Sequence, residues 1–137
     1  MIVTVDFISR VSAECLAAAS DLALISIKDP LDMPPRLANF ARMLHLEFRD
    51  VRTSDEVWAF EKSHANMIIE FVAALHEEAN AYKCIVHCKA GISRSAAVAV
   101  YIAEATQCRF DRREQAGGAN PLVLKLLCGS ARDKRSP

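Results

Sequence analysis

Cys88 and Arg94 stand with five residues between them in the stretch "IVHCKAGISRS", residues 85–95. A cysteine becomes a strong nucleophile once it loses its proton. A guanidinium presents a planar fork that holds two oxygens of a phosphate at once, which the point charge of a lysine does not. Between the two, Ala90, Gly91 and Ser93 are small enough for backbone to approach an oxyanion closely. Successive N–H groups in such a turn form an anion nest, and a helix starting behind it adds partial positive charge. The pattern therefore predicts a phosphate-like anion held by the loop of Lys89, Ala90, Gly91, Ile92, Ser93 and Arg94, with the Cys88 thiolate beneath it. The chemistry this allows is displacement at phosphorus, in which Cys88 attacks, a phosphocysteine forms and water releases it. The loop lacks the terminal Gly-Lys-Ser/Thr of nucleotide-binding P-loops.

Such a loop needs a strand to deliver the cysteine and a helix to carry the arginine. Residues 83–87, "KCIVH", read as a strand with an apolar centre, and residues 93–106 as a helix of small residues, apolar almost all round and hence central. Three further strands are expected. Residues 2–8 alternate, residues 22–27 form a continuous apolar run suited to burial on both faces, and residues 43–48 form the third.

Helical spacing follows the first strand, with Ser12 as cap and Glu14 in the first turn. Three prolines exclude regular structure from "KDPLDMPP", residues 28–35, and a short helix is expected over 36–41. A long amphipathic helix is expected to about Ala79, capped by Thr53 or Ser54, with Asp55 and Glu56 in its first turn. Its apolar face includes Val57, Phe60, Ala65, Ile68, Ile69, Val72 and Leu75. Two more helices are expected after residue 107, parted by Gly117-Gly118, with Pro121 in the first turn of the second and Gly129 at its end. Buried strands alternating with helices predict an α/β fold, with a central, mainly parallel sheet of four to five strands flanked by helices. The expected organisation is one domain over residues 1–130 and a flexible tail over 131–137.

The bulk composition narrows the partners. The chain has 137 residues, 52% of them hydrophobic, which suits one domain with a real core. Lys+Arg and Asp+Glu both number 17, without the basic excess of a nucleic-acid binder. No apolar run reaches bilayer-spanning length, and the first residues alternate without a basic segment ahead of an apolar one, so neither membrane insertion nor a signal peptide is expected. Five cysteines at irregular spacing, none in a Cys-x-x-Cys, argue against a disulfide framework or a zinc site and for a reducing cytoplasm. Cys84 and Cys88 lie about 13 Å apart along an extended strand, beyond the roughly 7 Å that a disulfide spans. Core packing is the expected role of Cys15, Cys84, Cys108 and Cys128.

The stretch "HCKAGISRS" resembles the His-Cys-x-x-Gly-x-x-Arg-Ser/Thr signature of cysteine-dependent protein tyrosine phosphatases, and most of all their dual-specificity-like branch, where "CxAGxSRS" is common. The resemblance covers about residues 44–104. "ALISIKDP" resembles the strand and loop of small bacterial members, and "ANPLVLKLL" resembles their closing helix. It implies a phosphatase domain that hydrolyses phosphomonoesters in two steps without metal or cofactor. By resemblance Cys88 is the nucleophile, Arg94 the phosphate clamp, Ser95 the hydroxyl that eases departure of sulfur, and His87 a residue that orients the loop.

The leaving oxygen needs a proton, so an acid must stand opposite the thiolate. The family places an aspartate in a loop before the long helix, and Asp50, directly after the third strand, fits that place. Asp55 and Glu56 are the rival acids. Asp50 lies further upstream of Cys88 than is usual, the extra residues falling in the long helix. The opening "CKAG" is shared with phosphoinositide phosphatases of the same superfamily, which carry a second lysine where this chain has Ile92. The implied substrate is a phosphorylated protein, with a small phosphoester such as an inositol phosphate or nucleotide as the rival. A phosphate-binding module without catalysis is the reading from another class. Arsenate reduction, which also uses a Cys-to-Arg loop, places that loop near the N-terminus beside resolving cysteines, and this chain does neither.

Overall fold

Four strands, all parallel, form the central sheet in the order β1–β4–β2–β3. They are β1 (Ile2–Ser9), β2 (Leu22–Lys28), β3 (Arg42–Glu47) and β4 (Tyr82–Cys88). The helices are α1 (Arg10–Glu14), α2 (Lys62–Glu77), α3 (Arg94–Thr106) and α4 (Pro121–Arg135), with a 3-10 helix over Arg113–Gly118. The computed structural model describes residues 1–135. The chain is thus α/β with a parallel sheet flanked by helices, as expected, and the sheet has four strands.

The continuous apolar run of β2 is buried from Ala23 to Ile27, because β4 and β3 pair with its two edges and side chains pack on both faces. β4 is likewise paired on both edges, by β1 and β2. Its last residue, Cys88, therefore emerges in the middle of the sheet's carboxyl edge, where open parallel sheets form their ligand sites. The outer edge of β1 is covered by residues around Arg109, whose N–H and C=O bond to Val3 and Val5. Small residues let α3 pack against β1, β4 and α4 together; Arg94 to Ala99 and Tyr101 to Ala103 are all buried. α2 packs on β3 through a buried face that includes Ala65, Ile68, Ile69, Val72 and Leu75, and α4 lies against both α2 and α3. No helix among the described residues is long and apolar enough to cross a membrane.

Four local expectations are corrected. The first helix is five residues long and is capped by Ser9, not Ser12: the Ser9 Oγ accepts the Ser12 N–H at 3.2 Å. No helix forms over 36–41, and the Arg36 amide is instead held by the Glu14 carboxylate at 2.8 Å. The long helix starts at Lys62, not near Asp55. Thr53 to Trp58 form turns, Trp58 takes a left-handed φ of 56°, and its carbonyl accepts the Arg49 amide at 2.8 Å. A carbonyl used that way cannot continue a helix. Phe60 gains a core position against Phe48 (ring centroids 4.8 Å apart) from this irregular backbone, while Val57 is exposed. α2 begins where the Glu61 amide donates to His64 Nδ1 at 2.9 Å. At the other end α4 continues past Gly129 into the segment read as a tail, and residues 136–137 lie outside the described residues.

One polar pair lies inside the sheet. Ser26 of β2 stands opposite His87 of β4, and Ser26 Oγ meets His87 Nε2 at 2.6 Å, both side chains fully buried. Burial holds the His87 pKa below its ordinary 6.5, and the half-buried His64 is lowered for the same reason. Both imidazoles are neutral in the fold, whereas the unfolded chain takes up protons near 6.5. Native His87 and His64 thus bind fewer protons than the unfolded chain, so their contribution to stability is present above about 6.5 and is lost as pH falls below it. Urea unfolding should show lower stability at pH 5.5 than at pH 7.5. His87→Gln should be less stable throughout, with a smaller drop between those two pH values.

Candidate active site

β4 ends, the chain turns through residues 89–93, and α3 begins at Arg94. Gly91 sits at the bend with φ 71°. A Cβ there would stand 2.4 Å from the Ser9 amide nitrogen and 2.5 Å from the Ile8 carbonyl carbon, so only glycine lets the loop lie against the end of β1. The Arg10 amide donates to the Lys89 carbonyl at 3.2 Å, and the Asn120 amide to the Ser93 carbonyl at 3.0 Å. The loop is therefore tied on both sides through its carbonyls. The amides of Lys89, Ala90, Gly91, Ile92 and Ser93 have no protein partner among the described residues. A curved run of unpaired N–H groups at the start of a 13-residue helix is the arrangement that binds an oxyanion.

The side chains agree with the backbone. Cys88 is 2% exposed, and its Sγ lies 3.1 Å from Ser95 Oγ on the first turn of α3. Arg94 is 4% exposed. Its Nη1 donates to Asp29 Oδ1 at 3.0 Å and to the Phe48 carbonyl at 2.8 Å. Its Nε is buried without any partner among the described residues. A buried donor left unpaired costs free energy, and an anion in the loop is the partner that would satisfy it. Burial pushes the Cys84 thiol up to about 12, that of an inert core group.

A cavity of about 460 Å³ opens over the loop. Asp29, Arg49, Asp50, Cys88, Lys89, Ala90, Ile92, Ser93 and Arg94 line it. Of the residues read from the sequence, the fold thus brings together Cys88, Arg94, the loop and Asp50, with Ser95 behind the sulfur. Asp50 Oδ1 accepts from Ser93 Oγ at 2.8 Å and from Asn120 Nδ2 at 2.7 Å. Asp55 is not brought there; it lines a separate depression with Arg52, Ser54 and Lys125. Glu56 is not there either, its carboxylate taking the Thr53 hydroxyl at 3.0 Å. His87 does not reach the cavity. Its ring is held by Ser26, with Nδ1 3.5 Å from the Cys88 carbonyl.

Three residues at the site escaped the sequence reading: Asp29, Arg49 and Asn120. Asp29 follows a buried parallel strand directly, as Asp50 does, and an acid at the carboxyl end of such a strand is the signal that could have found it. Arg49 carries no signal beyond its place next to Asp50. Asn120 before Pro121 reads only as a helix start. No family model matches the chain, and no curated protein matches it.

Gly91→Ala combines a strained left-handed backbone with a contact too close to exist. It should lower stability by about 1–3 kcal/mol and weaken vanadate binding. Gly117→Ala, where a Cβ meets nothing within 4 Å, should stay within about 0.5 kcal/mol of the wild type. Denaturation midpoints and vanadate titration of the two variants check this.

Proposed function

We propose that this chain is a phosphomonoester hydrolase acting through a phosphocysteine, and that it is a protein tyrosine or dual-specificity phosphatase. The observation that carries the reading is the convergence on one cavity of a sulfur, a loop of unpaired amides, an arginine with an unpaired buried Nε, and a carboxyl group. In the first step Cys88 Sγ, as thiolate, attacks phosphorus, the bond to the leaving oxygen breaks, and Asp50 gives that oxygen a proton. The loop amides and Arg94 hold the remaining phosphoryl oxygens and the charge that builds on them. In the second step Asp50, now ionised, takes a proton from water as that water attacks phosphorus. The S–P bond breaks, inorganic phosphate leaves, and the Ser95 hydroxyl supports the departing sulfur by hydrogen bonding. The cycle needs no redox partner, and a reduced Cys88 suits a reducing compartment such as the cytoplasm.

A second reading keeps this chemistry and changes the substrate to a small, highly charged phosphoester such as an inositol phosphate or nucleotide. It is favoured by Arg49 and Lys89, which line the cavity and form no ion pair among the described residues. Turnover on phosphotyrosyl peptides compared with inositol phosphates and nucleotides separates the two.

The wild type should hydrolyse para-nitrophenyl phosphate, and Cys88→Ser should abolish this while vanadate still binds. Unchanged hydrolysis in Cys88→Ser would remove the nucleophile assignment. Vanadate binding without any wild-type hydrolysis would make the chain a phosphate-binding module. Asp50→Asn should slow turnover by about 10²–10⁴-fold and flatten the acid-dependent limb of the pH profile, with Asp55→Asn as the variant that leaves it in place.

A further inference from the structure

Among the described residues Asn120 is the one buried polar residue that touches the Asp50 carboxyl group, and its side chain is used at both ends. It is 1% exposed. Its Oδ1 accepts the amides of Leu122 at 2.9 Å and Val123 at 3.2 Å, which caps α4. Its Nδ2 donates to Asp50 Oδ1 at 2.7 Å and to the Val51 carbonyl at 3.1 Å. Its own amide donates to the Ser93 carbonyl. One residue thus joins the loop after β3, the phosphate loop and the start of α4.

We propose that Asn120 is the positioning residue for Asp50, fixing which carboxyl oxygen carries the transferable proton. The proposal rests on the phosphatase reading above. Asn120 Nδ2 and Ser93 Oγ both donate to Oδ1, whereas Oδ2 takes no hydrogen bond among the described residues. A proton on the carboxyl group is therefore left to Oδ2. A general acid on an exposed loop would otherwise sample several rotamers, and a displacement of about 1 Å from the productive geometry costs about 10²-fold in rate.

The type of donor matters as much as its place. The acid must be protonated in the first step and ionised in the second. A lysine at this position would favour the ionised form, because a nearby opposite charge does so. A neutral amide donates to a carboxyl oxygen in either state, so the anchor persists while the proton comes and goes.

The capping and positioning roles are separable by chemistry. Serine is a good N-cap and offers no amide N–H₂ to Asp50. Asn120→Ser should therefore melt close to the wild type by circular dichroism and bind vanadate as tightly. Turnover on a series of aryl phosphates supplies the decisive reading. Phenyl phosphate, a poor leaving group that needs the acid, should lose about 10²-fold, while a dinitrophenyl ester, which leaves without help, stays near the wild-type rate. In an Asp50→Asn background, Asn120→Ser should add nothing further, since the two residues act as one unit.

An equal loss across all leaving groups, or lost vanadate binding, would show a structural role and overturn the proposal while the phosphatase reading stands. A wild type that hydrolyses none of the esters would overturn both.

Discussion

A guanidinium with almost no access to solvent holds the carboxyl edge of this sheet together. Burying a charge is expensive unless it is paired and hydrogen-bonded. Arg94 meets that demand with one nitrogen: Nη1 takes Asp29 from the end of β2 and the Phe48 carbonyl from just beyond β3. Arg94 itself follows β4 through the loop. One side chain thereby ties the ends of three neighbouring strands, and any shift in those ends moves it. The same arrangement leaves Nε unpaired in the interior, so the residue is anchored without being used up.

The loop between Cys88 and Arg94 depends on that anchor and on two others. Gly91 lies against the backbone at the end of β1, at a distance no side chain permits. The Lys89 and Ser93 carbonyls are tied to Arg10 and Asn120. With its carbonyls engaged outward, the loop keeps five amides without a protein partner. The cost of leaving them so is met by the rest of the fold, and on the phosphatase reading an oxyanion collects the return. Ser26 and His87 contribute from below. Their buried contact links β2 and β4 one residue before the sulfur, and burial keeps the imidazole neutral.

Asp50 reaches the same cavity by another route. It sits on the loop after β3, and its carboxyl group is held by the loop after β4 through Ser93 and by α4 through Asn120. α4 packs in turn against α2 and α3. The position of one exposed acid is thus tied to the packing of the helical layer.

The parallel α/β arrangement was legible in the chain because its signals are local. Continuous apolar runs mark strands buried on both faces, such as β2, and the small residues of 93–106 mark a central helix. The strand, glycine turn and helix around Cys88 were legible too, since the spacing from Cys88 to Arg94 is short and the turn needs glycine at a fixed place. Asp50 stands out by its position after a strand, and both the resemblance and the first-turn places expected for Asp55 and Glu56 favour it over them. The sequence places the start of α2 too early because Val57 and Phe60 fit a helical period. The hydrogen bond from Arg49 to Trp58, and the place for Phe60 against Phe48, exist only once β3 is in position. The contacts of Asp29 and Asn120 are not legible in the sequence for the same reason. Their partners lie 65 and 70 residues away in the chain, and no periodicity records a contact between strand ends. The sequence alone therefore determined which residues could do chemistry at the loop. Only the tertiary structure decided which carboxylates face that loop and what holds them, because those contacts arise where separate strands end side by side.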